Sequence, residues 1–367
     1  MLHFLFPLLL VLQSIVIKSP VPASEQPQSY RLHQLTQKEG VSIRGLSVVD
    51  DQVAWISGSQ GWTAVSSNRG KDWQWQQVPS HEKTDFRSLY AFSKDKAIVM
   101  SAGSPLVILK TEDAGKTWKE AHRNEHPDIF LDGMDFWDEK RGIAYGDPID
   151  GQMQILTTND GGNTWQDMSE YTKGLLQEGE AGFAASGTGI RTLPNGTTII
   201  GTGGSRAQIL ITKDFGKNWT AYPCPIIQGN VSTGIFSIAF ASEQIGVVVG
   251  GNYEEDLKKE KVVFLTKDGG KTWIEPKKGT NGYRSSVEYL NKNVLIATGT
   301  TGVDLSLDGG LNWSLMNYDS FHAVRKARKG NWVLLAGAHG RIAMLMGTKK
   351  TLYSHAPIDE AFNDQPQ

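Results

Sequence analysis

Short apolar segments recur along the chain from about residue 41, each separated from the next by turn residues. One unit contains Arg87–Phe92, a polar turn, Ala97–Gly103 and Leu106–Leu109, and a fourth short segment follows Trp118. Segments of this length, alternating in polarity or rich in Val, Ile and Ala, predict β-strands. We call them strands A to D of each unit. Four short strands per repeat are typical of a β-propeller blade.

An eight-residue turn motif follows strand C in six of the units, and its clearest copy is Thr266–Trp273. Its third residue is Asp or Asn, at Asn68, Asp113, Asp160, Asp214, Asp268 and Asp308. Its last residue is Trp, at Trp73, Trp118, Trp165, Trp219, Trp273 and Trp313, spaced 40 to 54 residues apart. A period of this size indicates a propeller or a solenoid. We interpret the motif as structural, because Asp accepts hydrogen bonds from turn amides, Gly adopts positive φ and Trp buries a large ring.

Strand A begins seven times, although the motif occurs six times. The A segments are Val41–Val48, Phe86–Phe92, Gly133–Trp137, Phe183–Thr192, Ile235–Phe240, Tyr283–Tyr289 and Phe321–Ala327. The last unit has strands B and C but lacks D, which the isolated segment Ser29–Thr36 can supply. Such closure pairs the two ends of the ring and removes open edges. The sequence therefore predicts an all-β, seven-bladed β-propeller of four-stranded antiparallel blades, closed by an N-terminal strand; six blades is the alternative.

The composition limits the classes of partner and indicates the cellular compartment. The chain has 367 residues with a formal net charge of −2, so no basic field favours nucleic acid. Its single cysteine, Cys224, excludes an intramolecular disulfide and a cysteine metal cluster. Phe4–Ile17 is apolar but short for a membrane span, and Val21-Pro22-Ala23 suits cleavage, which predicts a secretory signal peptide. The alternative is an uncleaved anchor.

The predicted organisation is a signal peptide at 1–23, a linker with the closing strand at 24–40, the propeller at 41–350 and a tail at 351–367. We expect an exported protein, periplasmic or extracellular, that is a monomer and has no stable membrane insertion after cleavage. We expect no cofactor and no metal. The charged segment Asn252–Lys261 is interpreted as a solvated hairpin tip and not as a calcium site.

Candidate binding residues lie on the face opposite the turn motifs, where strands A begin and B–C loops return. Three arginines at A-strand starts, Arg44, Arg87 and Arg284, are predicted to converge with His322 around the channel mouth. We call this set the arginine arc. The B–C loops add Arg206, His339 and Arg341 as further candidates. The alternative is that each arginine pairs with a neighbouring carbonyl or carboxylate.

Carboxylates form a second cluster, predicted on the rim of the same mouth in blades 3 and 4. Asp132, Asp147 and Glu180 interrupt the repeat where other blades are generic, and they are candidate catalytic residues. The small residues of Gly182–Gly189 would allow close approach by a ligand or a neighbouring backbone. The loop Gln166–Gly182, just before them, has room for a short helix.

The turn motif resembles the Asp-box, or BNR repeat, of sialidases and sortilin-type receptors. The units, such as Gly142–Gly146 followed by Ile155–Trp165, are similar to those of the photosystem II stability/assembly factor-like propellers, over about residues 41–346. That resemblance implies a non-enzymatic binding scaffold with an arginine-bearing axial face. Sialidases instead imply an arginine triad and a Tyr/Glu nucleophile pair. The adjacent Glu288 and Tyr289 point to opposite faces of a strand, which disfavours that chemistry.

Two functions follow as expectations. The first is an exported scaffold that recognises a protein or glycan partner through the arginine arc. The second is a glycoside hydrolase with carboxylates from blades 3 and 4. Two catalytic carboxyls would then lie roughly 5 to 9.5 Å apart across an open cleft.

Overall fold

The computed structural model describes residues 29–348, and these form seven antiparallel sheets around a central channel. The predicted leader (1–23), most of the linker and the tail (351–367) lie outside the described residues. In chain order the strands are β1 Ser29–Thr36, β2 Ile43–Val48, β3 Ala54–Gly58, β4 Trp62–Ser66, β5 Gln74–Gln77, β6 Phe86–Ala91, β7 Ala97–Ser101, β8 Leu106–Thr111, β9 Lys119–Asn124, β10 Leu131–Phe136, β11 Gly142–Ile149, β12 Gln152–Thr158, β13 Gln166–Asp167, β14 Glu180–Ala181, β15 Ile190–Leu193, β16 Thr197–Gly201, β17 Gly203–Gly204, β18 Gln208–Thr212, β19 Trp219–Pro223, β20 Asn230–Phe240, β21 Gly246–Asn252, β22 Val263–Thr266, β23 Ser286–Tyr289, β24 Leu295–Gly299, β25 Gly302–Ser306, β26 Trp313–Asn317, β27 Ala323–Lys326, β28 Val333–Ala336 and β29 Ile342–Thr348. Single 3₁₀ turns occur at Ser169–Thr172, Pro194–Gly196 and Ala338–Gly340.

Seven blades are confirmed. Blades 1, 2, 3, 4 and 6 are the sheets β2–β5, β6–β9, β10–β13, β15-β16-β18-β19 and β23–β26. Blade 7 has the order β27-β28-β29-β1, so the predicted closing strand takes the outer position. The helix suggested within Gln166–Gly182 is the 3₁₀ turn at Ser169–Thr172.

Blade 5 departs from the four-strand plan on both sides. Its outer position holds a single bridge between Leu265 and Ile274. Pro276 follows two residues later, and its missing N–H shortens strand D. On the channel side, β14 and β17 extend the sheet beyond β20. These two short strands come from the loops around blade 4 and connect it to blade 5 at the channel mouth.

Seven hydrophobic clusters are each packed between two neighbouring blades, and a smaller eighth contains Phe236 and Tyr283. The closing strand contributes Leu35 to the cluster between blades 7 and 1 and Leu32 to that between blades 6 and 7. Near the axis, serine hydroxyls connect the inner strands. Ser88 accepts the backbone N–H of Met134 in the next blade (3.1 Å), and Ser237 accepts that of Val287 (3.0 Å). The inner ring is thus hydrogen-bonded as well as packed.

The turn motifs have the predicted structural geometry. In Thr266–Trp273, Asp268 accepts the backbone N–H of Thr272 at 2.9 Å and its hydroxyl at 2.6 Å. The hydroxyl of Thr266 in turn accepts the N–H of Gly270 at 2.7 Å. The hydrogen bonds from Thr272 lower the pKa of Asp268 to about 2. The carboxylate of Asp268 is therefore occupied by hydrogen bonds within its own turn.

The first motif keeps this geometry with its polar groups exchanged. Asn68 replaces the aspartate, and Asp72 replaces the usual Thr or Asn four residues later. The Asn68 amide donates to the Asp72 carboxylate at 2.8 Å, and Asn68 Oδ1 accepts the backbone N–H of Asp72 at 3.0 Å. The turn therefore needs one donor and one acceptor at these two positions, in either order.

Glycine at the fifth motif position is required for packing as well as for φ. Gly270 has φ +88°, and an added Cβ would lie 1.9 Å from Ile209 Cδ1. Gly309, at the fourth position of the last motif, has φ +76°, but an added Cβ would meet nothing within 4 Å. We expect Gly270→Ala to lower the free energy of unfolding by roughly 2 to 4 kcal/mol and Gly309→Ala by about 1 kcal/mol. Urea unfolding of both variants tests this, and equal losses would contradict the packing argument.

Candidate functional site

An open cavity of about 530 Å³ lies at the channel mouth, on the face where strands A begin. We call it the mouth cavity. Its lining combines cations, carboxyls and aromatic rings: Arg44, Arg87, Phe130, Asp132, Asp147, Ala181, Gly182, Phe183, Ala184, Ala185, Val231, Phe236, Tyr253, Tyr283, Ser285, Thr300 and His322. Five of the residues predicted from the sequence therefore share one site: Arg44, Arg87, Asp132, Asp147 and His322.

Four β-bulges direct side chains into this cavity. The A–B register shifts at Arg44, Arg87, Asp132 and Phe236, in blades 1, 2, 3 and 5. A bulge adds one unpaired residue to a strand and changes the direction of its side chain. The same backbone feature thus presents two cations, an acid and an aromatic ring at equivalent points around the channel.

The two arginines of the mouth cavity keep unused donors. Arg44 Nη1 donates to the carbonyl of Ala185 at 3.0 Å, and Arg87 Nε pairs with Asp85 at 2.8 Å. A guanidinium has five N–H donors. Burial, and then the positive charge of Arg87, lower the pKa of Arg44. An anion bound between them would relieve that repulsion.

His322 contributes a neutral imidazole to the cavity. Burial, followed by the nearby charge of Arg44, lowers its pKa to about 4. Its Nδ1 lies 3.0 Å from the carbonyl oxygen of Ile43, so Nδ1 carries the proton and donates. At neutral pH the side chain therefore adds no positive charge to the arginines.

Asp132 and Asp147 form a carboxyl pair in the cavity wall. Asp132 is 1% exposed, and among the described residues neither of its carboxyl oxygens has a hydrogen-bond partner. Burial, and then the charge of Asp147, raise its pKa well above the ordinary value. Burial also raises the pKa of Asp147 to about 6, although Asp147 accepts the N–H of Gly182 at 2.9 Å. The pair therefore holds a proton under mildly acidic conditions.

The close approach predicted for the Gly182–Gly189 segment occurs at this pair. A Cβ added to Gly182 would lie 2.1 Å from Asp132 Oδ2. The Tyr145 hydroxyl lies beside the same segment, where a Cβ added to Gly189 would be 2.1 Å from it. This hydroxyl is buried and lacks a hydrogen-bond partner within residues 29–348. Burial, followed by the charges of Asp132 and Asp147, raises the pKa of Tyr145 well above its ordinary value.

The opposite wall of the mouth cavity is aromatic. Phe183 stacks on Phe236 with ring centroids 3.8 Å apart, and Tyr283 meets Phe236 edge-on at 4.8 Å. Tyr253 and Val231 stand at the rim, 46% and 72% exposed. Such rims of exposed apolar side chains beside aromatic pockets are common in binding sites.

The prediction for Arg284 was wrong. This arginine is fully buried, pairs with Asp304 (Nη2 to Oδ2 2.5 Å) and donates to Thr301 and the Tyr283 carbonyl at 2.7 Å each. Ser285, one residue later, lines the mouth cavity instead. Successive strand residues point in opposite directions, so a displacement of one residue turns Arg284 into the blade. The arginine arc is therefore reduced to Arg44 and Arg87.

Glu180 also differs from the prediction. It is buried, accepts the hydroxyl of Thr202 at 2.6 Å and the N–H of Gln177 at 3.1 Å, and lies 3.4 Å from Arg206 Nε. Arg206 further donates to the Leu175 carbonyl at 3.1 Å. Both side chains connect β14 to the loops of blade 4 and lie outside the mouth cavity lining. Neither is placed for catalysis or binding there.

His339 and Arg341 likewise lie outside the lining of the mouth cavity. His339 adopts φ +58° in a 3₁₀ turn, 3.9 Å from Glu39. Arg341 lies 3.3 Å from Asp319. Each side chain thus lies near a carboxylate of another segment, Glu39 for His339 and Asp319 for Arg341.

Sequence reasoning missed four lining residues, Phe130, Phe183, Val231 and Tyr283. Three of them are bulky aromatic residues just before or at the start of a strand A, in blades 3, 4 and 6. That position is the available signal. The pattern of charged residues along the sequence does not reveal these aromatic side chains.

Metal and membrane features were tested separately. Among residues 29–348, no group of three or more His, Cys, Asp or Glu side chains is arranged to hold a metal ion. Within the same residues, no helix has the length and apolar character needed to cross a bilayer.

Comparison with known proteins supports the fold most strongly. No protein-family model matches the chain. A sialidase from Bacteroides fragilis (strain YCH46) is 26% identical over 190 residues, which cover 44% of this chain and 34% of the sialidase. The match thus spans about a third of that relative's length.

Solved structures match nearly the whole propeller. YCF48 bound to a D1 peptide has a TM-score of 0.60 at 16% identity, covering 86% of this chain and 96% of that chain. YCF48 from Cyanidioschyzon merolae has a TM-score of 0.61 at 16% identity, covering 85% and 98%. A GH74 xyloglucanase from Xanthomonas campestris has a TM-score of 0.60 at 13% identity, covering 86% and 53%. At such identities, the similarity establishes a common fold.

Proposed function

We propose that this BNR-like propeller, similar in fold to the photosystem II assembly factor YCF48, is a binding scaffold that takes a segment of a partner protein into the mouth cavity. The observation that carries the proposal is the composition of that cavity. Two arginines with spare donors and a cluster of packed aromatic rings line the same open space of about 530 Å³. A ligand with a carboxylate next to an apolar side chain satisfies both groups.

Charge supports an acidic group on the partner. Arg44 and Arg87 each make a single polar contact among the described residues, with Ala185 and Asp85 respectively. Paired guanidinium donors match the geometry of a carboxylate. The electrostatic contribution is expected to act mainly on specificity and on the association rate.

The aromatic wall supports an apolar anchor. Phe183, Phe236 and Tyr283 are packed against one another and need no rearrangement to receive a side chain. Preformed aromatic pockets lose little conformational entropy on binding. Tyr253 and Val231, exposed at the rim, extend the apolar contact outward.

The similarity to YCF48 supports a protein partner as the class of ligand, because one of those structures contains a bound peptide. We extend this to the present chain as a proposal. A glycan remains the second candidate, since aromatic faces and carboxyls also bind sugars. Peptide and oligosaccharide arms of one binding experiment distinguish the two.

The glycoside hydrolase alternative lacks geometric support. Hydrolysis needs two carboxyls on opposite sides of a bound sugar, roughly 5 to 9.5 Å apart. Glu180 is turned away into its own hydrogen bonds and lies outside the cavity lining. Asp132 is 1% exposed and has almost no surface open to a sugar.

The test is a direct binding measurement. Labelled peptides that combine acidic and apolar residues are titrated against the full chain by fluorescence polarisation, with neutral oligosaccharides as competitors. We expect Arg44→Glu with Arg87→Glu to weaken peptide binding at least tenfold, because two favourable charge contacts become repulsive.

The matched control is Arg69→Glu with Arg123→Glu, which makes the same charge change at two exposed arginines outside the mouth cavity lining. It is expected to bind as the wild type does. Equal binding by both double variants would overturn the proposal. Competition by oligosaccharides alone would favour the glycan.

The cellular setting is part of the proposal. We propose that the protein is exported and acts as a monomer, on the basis of the leader predicted at residues 1–23. Fractionation of cells expressing the tagged chain, followed by light scattering of the purified protein, tests both points. Retention in the cytoplasm, or a stable dimer, would overturn the corresponding statement.

A further inference from the structure

A second cavity, of about 180 Å³, lies at the other end of the channel, where strands A finish. We call it the floor cavity. Its charged lining residues are Asp135, Arg191, Glu288, Arg325, Lys326 and Arg328. None of them lines the mouth cavity. Whatever binds here is therefore independent of the function proposed above.

Positive charge is in excess among these residues. Three arginines and one lysine face two carboxylates. Lys326 is directed to the carbonyl of Leu290 at 2.8 Å, which leaves the three guanidinium groups as the main charges. Burial, and then repulsion by Arg191, lower the pKa of Arg325 to about 10. Arg325 is thus held close to other cations without full compensation. Burial also acts on Arg191, but the charges of Glu288 and Asp135 raise its pKa above the ordinary value.

The carboxylates are already engaged. Both oxygens of Asp135 accept backbone N–H groups, from Phe136 and Thr192, at 2.9 Å each. Glu288 lies 3.2 Å from Arg191 and 3.9 Å from Arg325, so a single carboxylate is divided between two guanidinium groups. Neither acid can neutralise Arg328, which stacks over Tyr90 with 4.4 Å to the ring centroid.

Arg191 carries the observation that points to a ligand. Its Nη2 donates to Glu288, but its Nε is buried and, within residues 29–348, has no hydrogen-bond partner. A buried donor without a partner is unfavourable, and a ligand acceptor would satisfy it. Arg325 Nη2 donates to the Gly187 carbonyl at 3.2 Å, and its contact with Glu288 is long, so it too has donors to spare.

We propose that the floor cavity binds a small tetrahedral oxyanion, phosphate or sulfate, held by Arg191, Arg325 and Arg328. A doubly charged oxyanion compensates the excess positive charge and offers several acceptors to the spare N–H donors. The cavity is too small for a nucleotide or a peptide. Because Leu46, Val48, Leu89 and Met134 also line it, the ion would be shielded from solvent and its contacts strengthened.

The experiment measures thermal stability and isothermal heat of binding of the full chain with inorganic phosphate, sulfate, malonate or chloride at constant ionic strength. We expect saturable stabilisation by phosphate or sulfate, since a ligand that binds the native state raises its stability by mass action. Chloride is expected to give no saturable effect. Malonate, a larger dianion whose charge is divided between two planar carboxylate groups, is expected to bind at least tenfold more weakly.

Two variants are expected to change oxyanion binding in opposite directions. Arg191→Gln is expected to weaken oxyanion binding at least tenfold, because it removes a charge and the unpartnered Nε. Glu288→Gln is expected to strengthen it several-fold, because it frees Arg191 and Arg325 from a competing carboxylate. A purely structural salt-bridge cluster would lose stability in both variants and show no oxyanion effect.

The mouth variant, Arg44→Glu with Arg87→Glu, is the control and is expected to leave oxyanion binding unchanged. Loss of binding there would place the ion at the mouth and overturn the proposal. Equal responses to chloride and phosphate would overturn it as well. If Arg191→Gln does not fold, weaker binding in Glu288→Gln still overturns it, and tighter binding supports it.

Discussion

Replacing Asp304 by Ala is expected to lower the free energy of unfolding by roughly 3 to 5 kcal/mol, the largest effect of any single change considered. Asp304 is 1% exposed and compensates the fully buried guanidinium of Arg284. It also accepts the backbone N–H of Asn281 at 2.9 Å. Without the carboxylate, Arg284 remains as a buried charge bonded only to neutral oxygens. Urea unfolding followed by tryptophan fluorescence measures the loss.

The control replaces both partners. Arg284→Met with Asp304→Leu removes the two charges and keeps most of the volume, so we expect its stability to lie within roughly 2 kcal/mol of the wild type. A single variant that costs less than about 1 kcal/mol would show that the pair is solvated and not buried.

The same double variant separates folding from recognition. Because Arg284 lies outside the mouth cavity, the charge-free double variant should bind the peptides of the mouth experiment with unchanged affinity. A substitution at Arg284 alone would reduce binding only by unfolding the chain. This distinction matters for any mutagenesis guided by the spacing of the arginines.

The carboxyl pair of the mouth cavity is expected to make stability fall as pH rises from 4 to 8. His322 acts in the opposite direction up to about pH 6.5, because its lowered pKa means that the folded chain holds fewer protons there than the unfolded chain. A raised native pKa means that the folded chain holds protons that the unfolded chain has lost. Each such carboxyl lowers stability by roughly 1.4 kcal/mol per pH unit between its unfolded and folded pKa. For Asp147 that interval ends at about pH 6, and the pKa of Asp132 is raised in the same direction.

Substitutions divide the profile into its two parts. Asp132→Asn should raise stability relative to the wild type, and the gain should be larger at pH 8 than at pH 4. The decrease between pH 4 and 6, due to Asp147, should remain. Asp132→Asn with Asp147→Asn should remove both contributions.

Asp150→Asn is the matched control, because Asp150 is exposed on the β11–β12 turn and lies outside the cavity. Its thermal unfolding midpoint should follow the wild-type dependence on pH. If the stability gained by Asp132→Asn with Asp147→Asn over the wild type does not grow as pH rises, the sign of the prediction is contradicted.

The fold could be predicted because its determinants are local. The spacing of Thr266, Asp268, Gly270 and Thr272 defines a turn whose hydrogen bonds are formed within eight residues. Six such turns and a seventh start of strand A predict seven blades. The lone strand at Ser29–Thr36 completes the last unit and predicts the closure. No long-range information was needed.

The site was only partly predictable because its geometry depends on single-residue displacements. Arg44 and Arg87 occupy bulges and face the cavity, whereas Arg284, at the same apparent position, does not. A bulge is not visible in an arginine's spacing from the next turn. The contact between Asp132 and Asp147 depends in addition on Gly182, contributed by the following loop. Such an arrangement arises only when three separate segments meet.

Ring closure by β1 has a consequence for the order of events during synthesis. The first described strand pairs with β29, the last, so the blade 7 sheet cannot be completed until the whole propeller has left the ribosome. Until then, the edge of β29 and the side chains Leu32 and Leu35 lack their final partners. Non-local pairings of this kind form slowly, and unpaired strand edges stay exposed until they are complete. The nascent protein therefore passes through an open ring that is vulnerable to aggregation, and a chaperone that shields blade 7 would act at this stage.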